Sequence, residues 1–241
     1  FEFGELNEGE PINPLGDITE MHAFEFNTTK SMTMDGAVNE VAWADAYTCQ
    51  YVIDLTMDVK LWSQRNDTKL FIGIFAVETT INSQDSASVY FDTWDAQNTS
   101  PNNSSYKRLN IDGAGTITYY EGSGGGWSAQ TRPTGWDAYV SVTNYGGTNY
   151  RSYEFSIPIS GLDANGRFGA DGETIGYGAN VNDFKTGAGA HNVWVWYPDH
   201  YYSGFGAPPT QYYNQPNTWA DIEYCADFVV RDYALEVVET S

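Results

Sequence analysis

The alternation of apolar and polar residues is clearest between residues 69 and 94, where it predicts two β-strands. Residues 70–77 form a nearly continuous apolar and aromatic run, which is typical of a fully buried strand. Residues 87–94 alternate instead, and Val89 and Phe91 share one face, as expected of a strand with one face on the core. The polar residues between the two runs predict a turn, and the rest of the chain is expected to pack around this pair.

Similar short runs along the chain predict further strands. Residues 49–55 and 58–62 alternate, and the polar residues 64–68 predict a turn that leads into the buried run. Asp35-Gly36 is a strong turn signal. About a dozen such runs occur without a long helical pattern, so the sequence predicts an all-β fold, an antiparallel β-sandwich.

The two ends of the chain differ from this pattern. Residues 1–30 are acidic, are broken by prolines and predict an extended N-terminal arm. Within the arm Phe24 and Phe26 alternate with polar residues, so short pieces of it are expected to add as strands to a sheet edge, either of the same chain or of a neighbour. Residues 226–241 contain two short apolar runs, which predict an additional C-terminal strand.

Composition and charge narrow the class of partner. The 241 residues fit one sandwich with a single core, and 16% aromatics with 24 glycines suit short strands and tight turns. A formal charge of -21 disfavours nucleic acid and anionic lipid as partners and leaves cations and neutral ligands. No apolar run is long enough for a membrane span, and a start at Phe1 fits a processed, exported chain, secreted or held at the cell surface.

Two modifications are expected of an exported chain. Cys49 and Cys225 predict one disulfide that closes a long loop, with two buried thiols as the alternative. Glycosylation sequons fall in polar, turn-like stretches, where a glycan can be attached. The sequon asparagines are Asn27, Asn66, Asn98, Asn102 and Asn103.

Several motifs occur in the order found in one known family. They are an MDG turn at 34–36, an E-x-x-W-x-x-A step at 40–46, LWSQRNDTKLFIGI at 61–74, VYFDT at 89–93, YEFSIPISGL at 153–162, IGYGANVNDF at 175–184 and PNTWADIEY at 216–224. This series resembles family 9 carbohydrate-binding modules and their dopamine β-monooxygenase N-terminal (DOMON) relatives. The resemblance covers residues 31–225 and implies a sandwich of jelly-roll type. In such a fold these aromatic and aliphatic residues are expected mainly in the core: Trp43, Phe71, Ile74, Phe91, Phe155, Ile157, Tyr177 and Trp219.

Two stretches concentrate aromatic residues outside regular alternation. One is the glycine-rich segment 122–136, and the other is the proline-containing segment 194–213. Rings in such settings favour contact with sugars or with neighbouring protein subunits, or they pack on their own sandwich as a covering flap. The candidate ligand- or partner-binding residues are Trp127, Trp136, Trp196, Tyr197, Tyr201, Tyr202, Tyr212 and Tyr213.

Catalysis finds little support, since the three histidines are scattered and no hydrolase motif is present. The carboxylates Glu121, Glu154 and Glu173 fit solvated surface positions better than a glycosidase pair. Calcium is the candidate cofactor, because hard oxygen ligands occur in turns and some family 9 modules bind it. The candidate calcium ligands are Asp92, Asp95, Asp112 and Asp183.

Two non-catalytic functions remain. The first is a self-assembling subunit of an extracellular filament, sheath or surface layer, a homopolymer in which the arm of one copy pairs with a sheet edge of the next. Phe1, Phe3 and Leu6 of the arm are then expected to enter pockets of the neighbour. The alternative is a glycan-binding module of the family 9 type, attached to or secreted with polysaccharide-degrading machinery.

Overall fold

The computed structural model describes 13 strands and one single-turn helix. The described residues are 20–25, 32–40, 42–43, 46–54, 57–77, 82–145, 148–163, 165–184, 191–196 and 214–225. The strands are β1 Glu20–Glu25, β2 Tyr47–Asp54, β3 Met57–Arg65, β4 Lys69–Val77, β5 Ser86–Asp92, β6 Tyr106–Asp112, β7 Ile117–Ser123, β8 Gly126–Gln130, β9 Asp137–Tyr145, β10 Thr148–Pro158, β11 Glu173–Phe184, β12 His191–Trp196 and β13 Ala220–Tyr224. The helix α1 is Ile159–Leu162, and a 3-10 turn covers Pro216–Thr218.

The strands form two layers. Sheet A has the order β8-β7-β6-β5-β11-β13, with β12 also paired to β11, and sheet B contains β3-β4-β10-β9, with β2 paired to β3. Pairing within each of these layers is antiparallel, so the predicted all-β sandwich is confirmed. The sequence predicted no long helix, and α1 in the described part of the chain has four residues. Within the described residues no helix is both long and apolar enough to cross a membrane.

The strands β4 and β5 confirm the two central predicted strands, although they lie in different layers. β4 pairs with β3 and β10 in sheet B, whereas β5 pairs with β6 and β11 in sheet A. The link between them therefore crosses from one layer to the other. Every residue of β5 is buried, so the expectation that only one of its faces is covered was wrong.

The main core lies between the two sheets. Period-2 alternation sends Val89 and Phe91 of sheet A inward to meet Ile72, Ile74 and their neighbours from sheet B. Of the predicted core residues, Ile74, Phe91, Phe155, Ile157 and Tyr177 belong to this core. Trp43 and Phe71 are also buried, but in a second cluster that includes Ala42.

Residues 32–40, 42–43 and 46 cover part of the outer face of sheet B, and several of them form that second cluster with Phe71. Phe71 is adjacent in sequence to core residue Ile72 and therefore points to the opposite face, where it meets Trp43. A Cβ on Gly73 would lie 3.3 Å from the Trp43 ring, so this glycine gives the indole its place on the strand. The predicted turn at Asp35-Gly36 is present, and Gly36 adopts a φ of +88°.

The strand β1 lies within the predicted arm and joins the two sheets. Residues 20–23 pair with β13 and residues 24–25 pair with β3, in both cases in parallel. The strand therefore pairs within its own chain, and its residues 20–23 add to β13 at the edge of sheet A, as the sequence predicted for pieces of the arm. Phe26 and residues 1–19, including Phe1, Phe3 and Leu6, lie outside the described residues, as do residues 226–241.

The predicted disulfide is not formed, because Cys225 is a buried thiol. Its backbone N–H donates to Ala23 on β1, whereas Cys49 lies on β2 opposite Leu61 of β3. β1 and β3 thus lie between the two cysteine-bearing segments in the strand order. Burial also raises the pKa of the Cys225 thiol to about 12, which keeps it protonated at neutral pH.

Candidate functional site

The outer face of sheet A carries a cluster of aromatic side chains. On β5, Val89 and Phe91 enter the core, so Tyr90 points outward. The strand register places Arg108 of β6 opposite Tyr90, and Tyr120 of β7 opposite Arg108. We call the following set the aromatic face: Tyr90, Tyr106, Arg108, Tyr120, Trp127 and Trp219.

Two tryptophans form the centre of the aromatic face. The rings of Trp127 and Trp219 are parallel to within 5°, with centroids 6.3 Å apart, a separation found in offset stacking. Tyr90 packs against both, with centroid distances of 5.8 Å to Trp127 and 5.6 Å to Trp219. Tyr106 meets Trp219 edge-on at 6.2 Å. Each of these four rings is therefore packed against at least one other ring of the aromatic face.

The members of this cluster differ in exposure. Tyr90 and Tyr106 are fully buried and Trp219 is 7% exposed, whereas Trp127, Arg108 and Tyr120 are half-buried. The tyrosine hydroxyls are also anchored: Tyr90 donates to Asn180 Oδ1 at 2.9 Å, and Tyr106 Oη accepts from the Asn98 N–H at 3.3 Å. The buried rings thus form a rigid base, and Trp127 presents partly exposed ring surface on top of it.

Hydroxyl and amide groups continue the same face beside the rings. Ser88 Oγ donates to Asn110 Oδ1 at 2.8 Å, and Asn110 Nδ2 donates to Thr118 Oγ1 at 3.3 Å. On the other side of β5, Asn180 Nδ2 of β11 donates to Asn182 Oδ1 at 3.3 Å, and Asn182 Nδ2 in turn donates to Ser86 Oγ at 2.9 Å. Asn110, Thr118 and Asn182 are half-buried, so their polar groups reach solvent at the edge of the aromatic face. Such groups can donate to and accept from sugar hydroxyls.

Arg108 supplies a positive charge at the centre of this surface. Its Cζ lies 5.3 Å from the ring centroid of Tyr90 and 5.1 Å from that of Tyr120, which is cation–π range for both. Its Nε and Nη2 donate to Ser88 Oγ at 3.3 and 3.2 Å. The guanidinium is therefore fixed in position by two rings and one hydroxyl.

Three of the predicted calcium ligands, Asp92, Asp95 and Asp112, have described side chains, and each has partners within the protein. Asp92 is buried and its carboxylate accepts the backbone N–H groups of Trp94, Ala96 and Gln97. Burial raises the pKa of Asp92, while those N–H groups act to lower it. Asp112 accepts two N–H groups of its own turn, at Ala114 and Thr116. These carboxylates have turn-forming roles; the side chain of Asp183 is not described, and calcium binding stays a prediction.

Asp95 also has other partners. Its carboxylate pairs with Arg167 at 3.4 Å and accepts from the Gln97 side chain at 3.3 Å. Among described residues, the His, Cys, Asp and Glu ligand atoms that all lie within 4.8 Å of one another belong to Asp35, Glu40 and Glu154.

Glu154 binds the segment 32–46 to sheet B. Its Oε2 accepts the N–H groups of Asp35 and Gly36 at 2.9 and 2.7 Å, and its Oε1 accepts the Trp43 indole N–H at 2.9 Å. The side chain is completely buried, so the surface position expected from the sequence was wrong. Burial, together with repulsion from Glu40, raises the pKa of Glu154 to about 7. This carboxyl group therefore has a structural role, and it lies on sheet B, whereas the aromatic face lies on sheet A.

The other two sequence-predicted carboxylates have local partners. Glu121 pairs with Lys107 at 3.4 Å, and Glu173 accepts the N–H groups of Gly169 and Ala170. Neither faces Glu154 as an acid–base pair among the described contacts.

The predicted binding aromatics separate into three groups. Trp127 lies on the aromatic face, whereas Trp136 is buried in the main core, edge-on to Phe91 and Tyr119 at 6.2 and 5.3 Å. The expectation of an exposed binding role for Trp136 was wrong, because the chain turns it inward at the start of β9. Trp196 lies on β12 opposite Ala179, and its side chain is not described. The remaining predicted aromatics lie outside the described residues: Tyr197, Tyr201, Tyr202, Tyr212 and Tyr213.

The sequons that are described lie in turns. Asn66 Oδ1 caps the β3–β4 turn by accepting the N–H groups of Thr68 and Lys69, and Asn103 Oδ1 accepts the Ser105 N–H. Asn102 is exposed, Asn98 is half-buried, and Asn27 lies outside the described residues. Glycosylation at these sites stays a prediction.

Sequence reasoning missed most of the aromatic face. Tyr90, Arg108 and Tyr120 were not singled out as binding residues, and Trp219 was expected in the core. A signal was present, because Arg108 and Tyr120 occupy the outward positions of strands whose inward residues, Leu109 and Tyr119, are buried. Recognising it required the strand order, which places these positions side by side.

Comparison with known proteins supports the assignment of the fold. No protein-family model matches the sequence, and no curated protein matches it either. A family 9 carbohydrate-binding module from Caldicellulosiruptor kristjanssonii in complex with cellotriose matches with a TM-score of 0.59 and 11% identity, covering 86% of this chain and 94% of that one. The glucose complex of such a module from that organism gives the same TM-score and identity, with 86% and 96% covered.

A third solved structure agrees. A protein from Bacteroides uniformis, provisionally described as carbohydrate-binding, matches with a TM-score of 0.57 and 10% identity, covering 85% of this chain and 98% of that one. At this level of identity the comparisons speak to the fold, and they confirm the resemblance that the order of motifs indicated. The chain folds as a β-sandwich like that of family 9 carbohydrate-binding modules.

Proposed function

We propose that this protein is a non-catalytic carbohydrate-binding module and that the aromatic face of sheet A is its sugar-binding surface. The observation that carries the proposal is the parallel pair of Trp127 and Trp219 at the centre of that face. A half-exposed indole that is already held by a second indole loses little conformational freedom when a ligand stacks on it.

The neighbouring groups suit the chemistry of a sugar. One face of a pyranose ring is apolar C–H surface, which stacks on an aromatic ring, and its rim carries hydroxyls that need hydrogen-bond partners. Trp127 supplies the ring, while Asn110, Thr118 and Asn182 supply amide and hydroxyl groups along the same surface. This combination of a large apolar platform and a few placed polar groups is the general pattern of small-ligand sites.

The likeness of fold supports the proposal. The matched modules from Caldicellulosiruptor kristjanssonii are complexes with cellotriose and with glucose, so this sandwich architecture can hold a sugar site. The predicted extracellular location belongs to the same proposal, since polysaccharides are encountered outside the cell. Binding to polysaccharide, rather than chemistry on it, is the role assigned to this chain.

Titration calorimetry with soluble oligosaccharides tests the proposal. A panel of neutral and acidic β-linked hexose and pentose oligomers should contain a ligand, and Trp127→Ala should weaken its binding by about 2 kcal/mol, roughly thirty-fold, as for other aromatic anchors. Tyr139→Ala is the matched control, because Tyr139 is an exposed ring on sheet B and its loss should leave affinity unchanged. Equal affinity of wild type and the folded Trp127→Ala variant, or no binding to any member of the panel, would overturn it.

Self-assembly through the N-terminal arm stays a prediction. The residues that would enter a neighbour, Phe1, Phe3 and Leu6, lie outside the described residues, and the comparisons concern sugar-binding proteins. Glycan binding is therefore the function that the described residues support best.

A further inference from the structure

Arg108 has no acidic partner among the described residues, unlike four other cations of this acidic protein. Four cationic side chains have a carboxylate oxygen within 4 Å, at 3.4 Å for Lys107, 2.8 Å for Arg132, 3.4 Å for Arg151 and 3.4 Å for Arg167. Arg108 has no carboxylate of any described residue within that distance, although the chain has 32 acidic residues against 11 basic ones. Its contacts are the two tyrosine rings and the hydroxyl of Ser88.

The guanidinium is also placed where a ligand would meet it. Arg108 is half-buried and lies between Tyr90 and Tyr120 in one row across sheet A. Tyr90 in turn contacts Trp127, so the positive charge and this half-buried indole both lie next to the Tyr90 ring. Its Nε and Nη2 are bound to Ser88, whereas none of the described hydrogen bonds uses Nη1.

We propose that the aromatic face selects an acidic sugar, whose anionic group pairs with Arg108 while its ring stacks on Trp127. The inference rests on the proposed sugar-binding function and names the class of ligand: a sugar unit that carries a carboxylate, as in a uronic acid, or a sulfate. Arginine binds either group through charge-assisted N–H···O bonds, and its planar fork matches a carboxylate in particular.

The net charge of the whole protein opposes the binding of an anionic ligand, and it limits how many acidic units that ligand can carry. A net charge of -21 repels a long polyanion, but over distances beyond about 8 Å the repulsion is screened at physiological ionic strength. The ligand is therefore a short acidic stretch or a single acidic unit within a mostly neutral glycan, which meets the local field of Arg108 more than the field of the whole surface.

The test uses pairs of probes that differ only in charge. Oligogalacturonates and their methyl esters share ring and linkage, and a sulfated and an unsulfated galactan oligomer form the second pair. We expect the folded wild-type protein, at 0.15 M salt, to bind the charged member of at least one pair about tenfold more tightly or better. Preference within the first pair identifies a carboxylate ligand, and preference within the second identifies a sulfate.

Variants at Arg108 assign the preference to this residue. Arg108→Gln should remove the preference for the charged probe, so that its affinities for the two members of a pair agree within about twofold, while Arg108→Lys should retain part of the preference. If Arg108→Gln does not fold, the wild-type comparison together with Arg108→Lys decides the matter, since unchanged selectivity in Arg108→Lys would contradict recognition by a guanidinium fork.

The outcomes separate this inference from the proposed function. Neutral oligosaccharides that bind, lose affinity in Trp127→Ala and show no advantage for their charged partners would overturn the acidic ligand and leave sugar binding intact. A charge preference that survives in Arg108→Gln would overturn the role of this residue. Absence of binding to all four probes and to the neutral panel would overturn both.

Discussion

Glu154 should make the stability of this protein fall as the pH rises from about 4.5 to about 7. Its side chain is completely buried beneath the segment 32–46, and burial raises its pKa from 4.5 to about 7, with repulsion from Glu40 as a further cause. The folded state therefore holds a proton in this interval that the unfolded state has released. Since stability rises with pH only where the unfolded state binds more protons, here it must fall.

The magnitude follows from the two pKa values. One pKa unit corresponds to about 1.36 kcal/mol, so a shift from 4.5 to about 7 is worth on the order of 3 kcal/mol between pH 4 and pH 8. Three donors hold the carboxyl in place, namely the N–H groups of Asp35 and Gly36 and the indole of Trp43. The charged groups that face it are Glu40 and Asp35.

Urea unfolding of wild type and Glu154→Gln, at several pH values between 5 and 8.5 with a chelator present, measures this dependence. The amide has no charge to bury, but it places an N–H donor opposite either the Trp43 indole or the backbone N–H groups. We expect Glu154→Gln to be less stable than wild type at pH 5 and to lose less stability on going to pH 8, so that the difference between them shifts by about 2–3 kcal/mol.

Glu173→Gln is the matched control, because Glu173 also accepts two backbone N–H groups but in an exposed turn. It reports the general effect of removing one carboxylate from a protein with a charge of -21. A difference between wild type and Glu154→Gln that stays constant within about 0.5 kcal/mol from pH 5 to pH 8.5 would refute the reasoning.

Four further predictions concern other parts of the molecule. Gly113→Ala should destabilise by about 1–3 kcal/mol in thermal or urea unfolding, because its Cβ would overlap the buried guanidinium of Arg151, whereas Gly126→Ala meets nothing within 4 Å and serves as control. Trp136→Ala should cost about 3–5 kcal/mol of stability and, under conditions where the variant is folded, leave sugar affinity unchanged; a selective loss of binding would contradict its place in the core. Alkylation of native protein at pH 8 should leave Cys225 unmodified, and intact mass after alkylation in denaturant should show both cysteines labelled; a disulfide-linked mass would contradict the thiol. Deletion of the first nineteen residues should preserve the fold, since β1 begins at Glu20, and sedimentation of full-length and truncated protein decides whether the arm drives assembly: a polymer that survives the deletion would remove the arm from that role.

The sequence by itself determined the central strands and the class of fold, whereas it left β8 within a glycine-rich segment without regular alternation. Alternation with a period of two is a local property, and it correctly assigned β4 and β5 and the fully inward positions such as Phe91. The turn at Asp35-Gly36 was equally local, because only a residue without a Cβ accepts that φ readily. The order of motifs was enough to indicate the sandwich that comparison of structures confirms.

Tertiary structure alone decided which polar and aromatic residues meet. Trp127 and Trp136 lie nine residues apart in one glycine-rich stretch, yet one is on the outer face of sheet A and the other is in the core. The aromatic face combines residues of β5, β6, β7 and β8 with Trp219, which precedes β13, and their proximity depends on strand order and register. Burial of Glu154 and the separation of Cys49 from Cys225 have the same cause. Local patterns specify which side of a strand a residue occupies. Which strand lies next to that strand is decided by long-range pairing. The chemistry of the aromatic face depends on this long-range pairing, because its residues come from different strands.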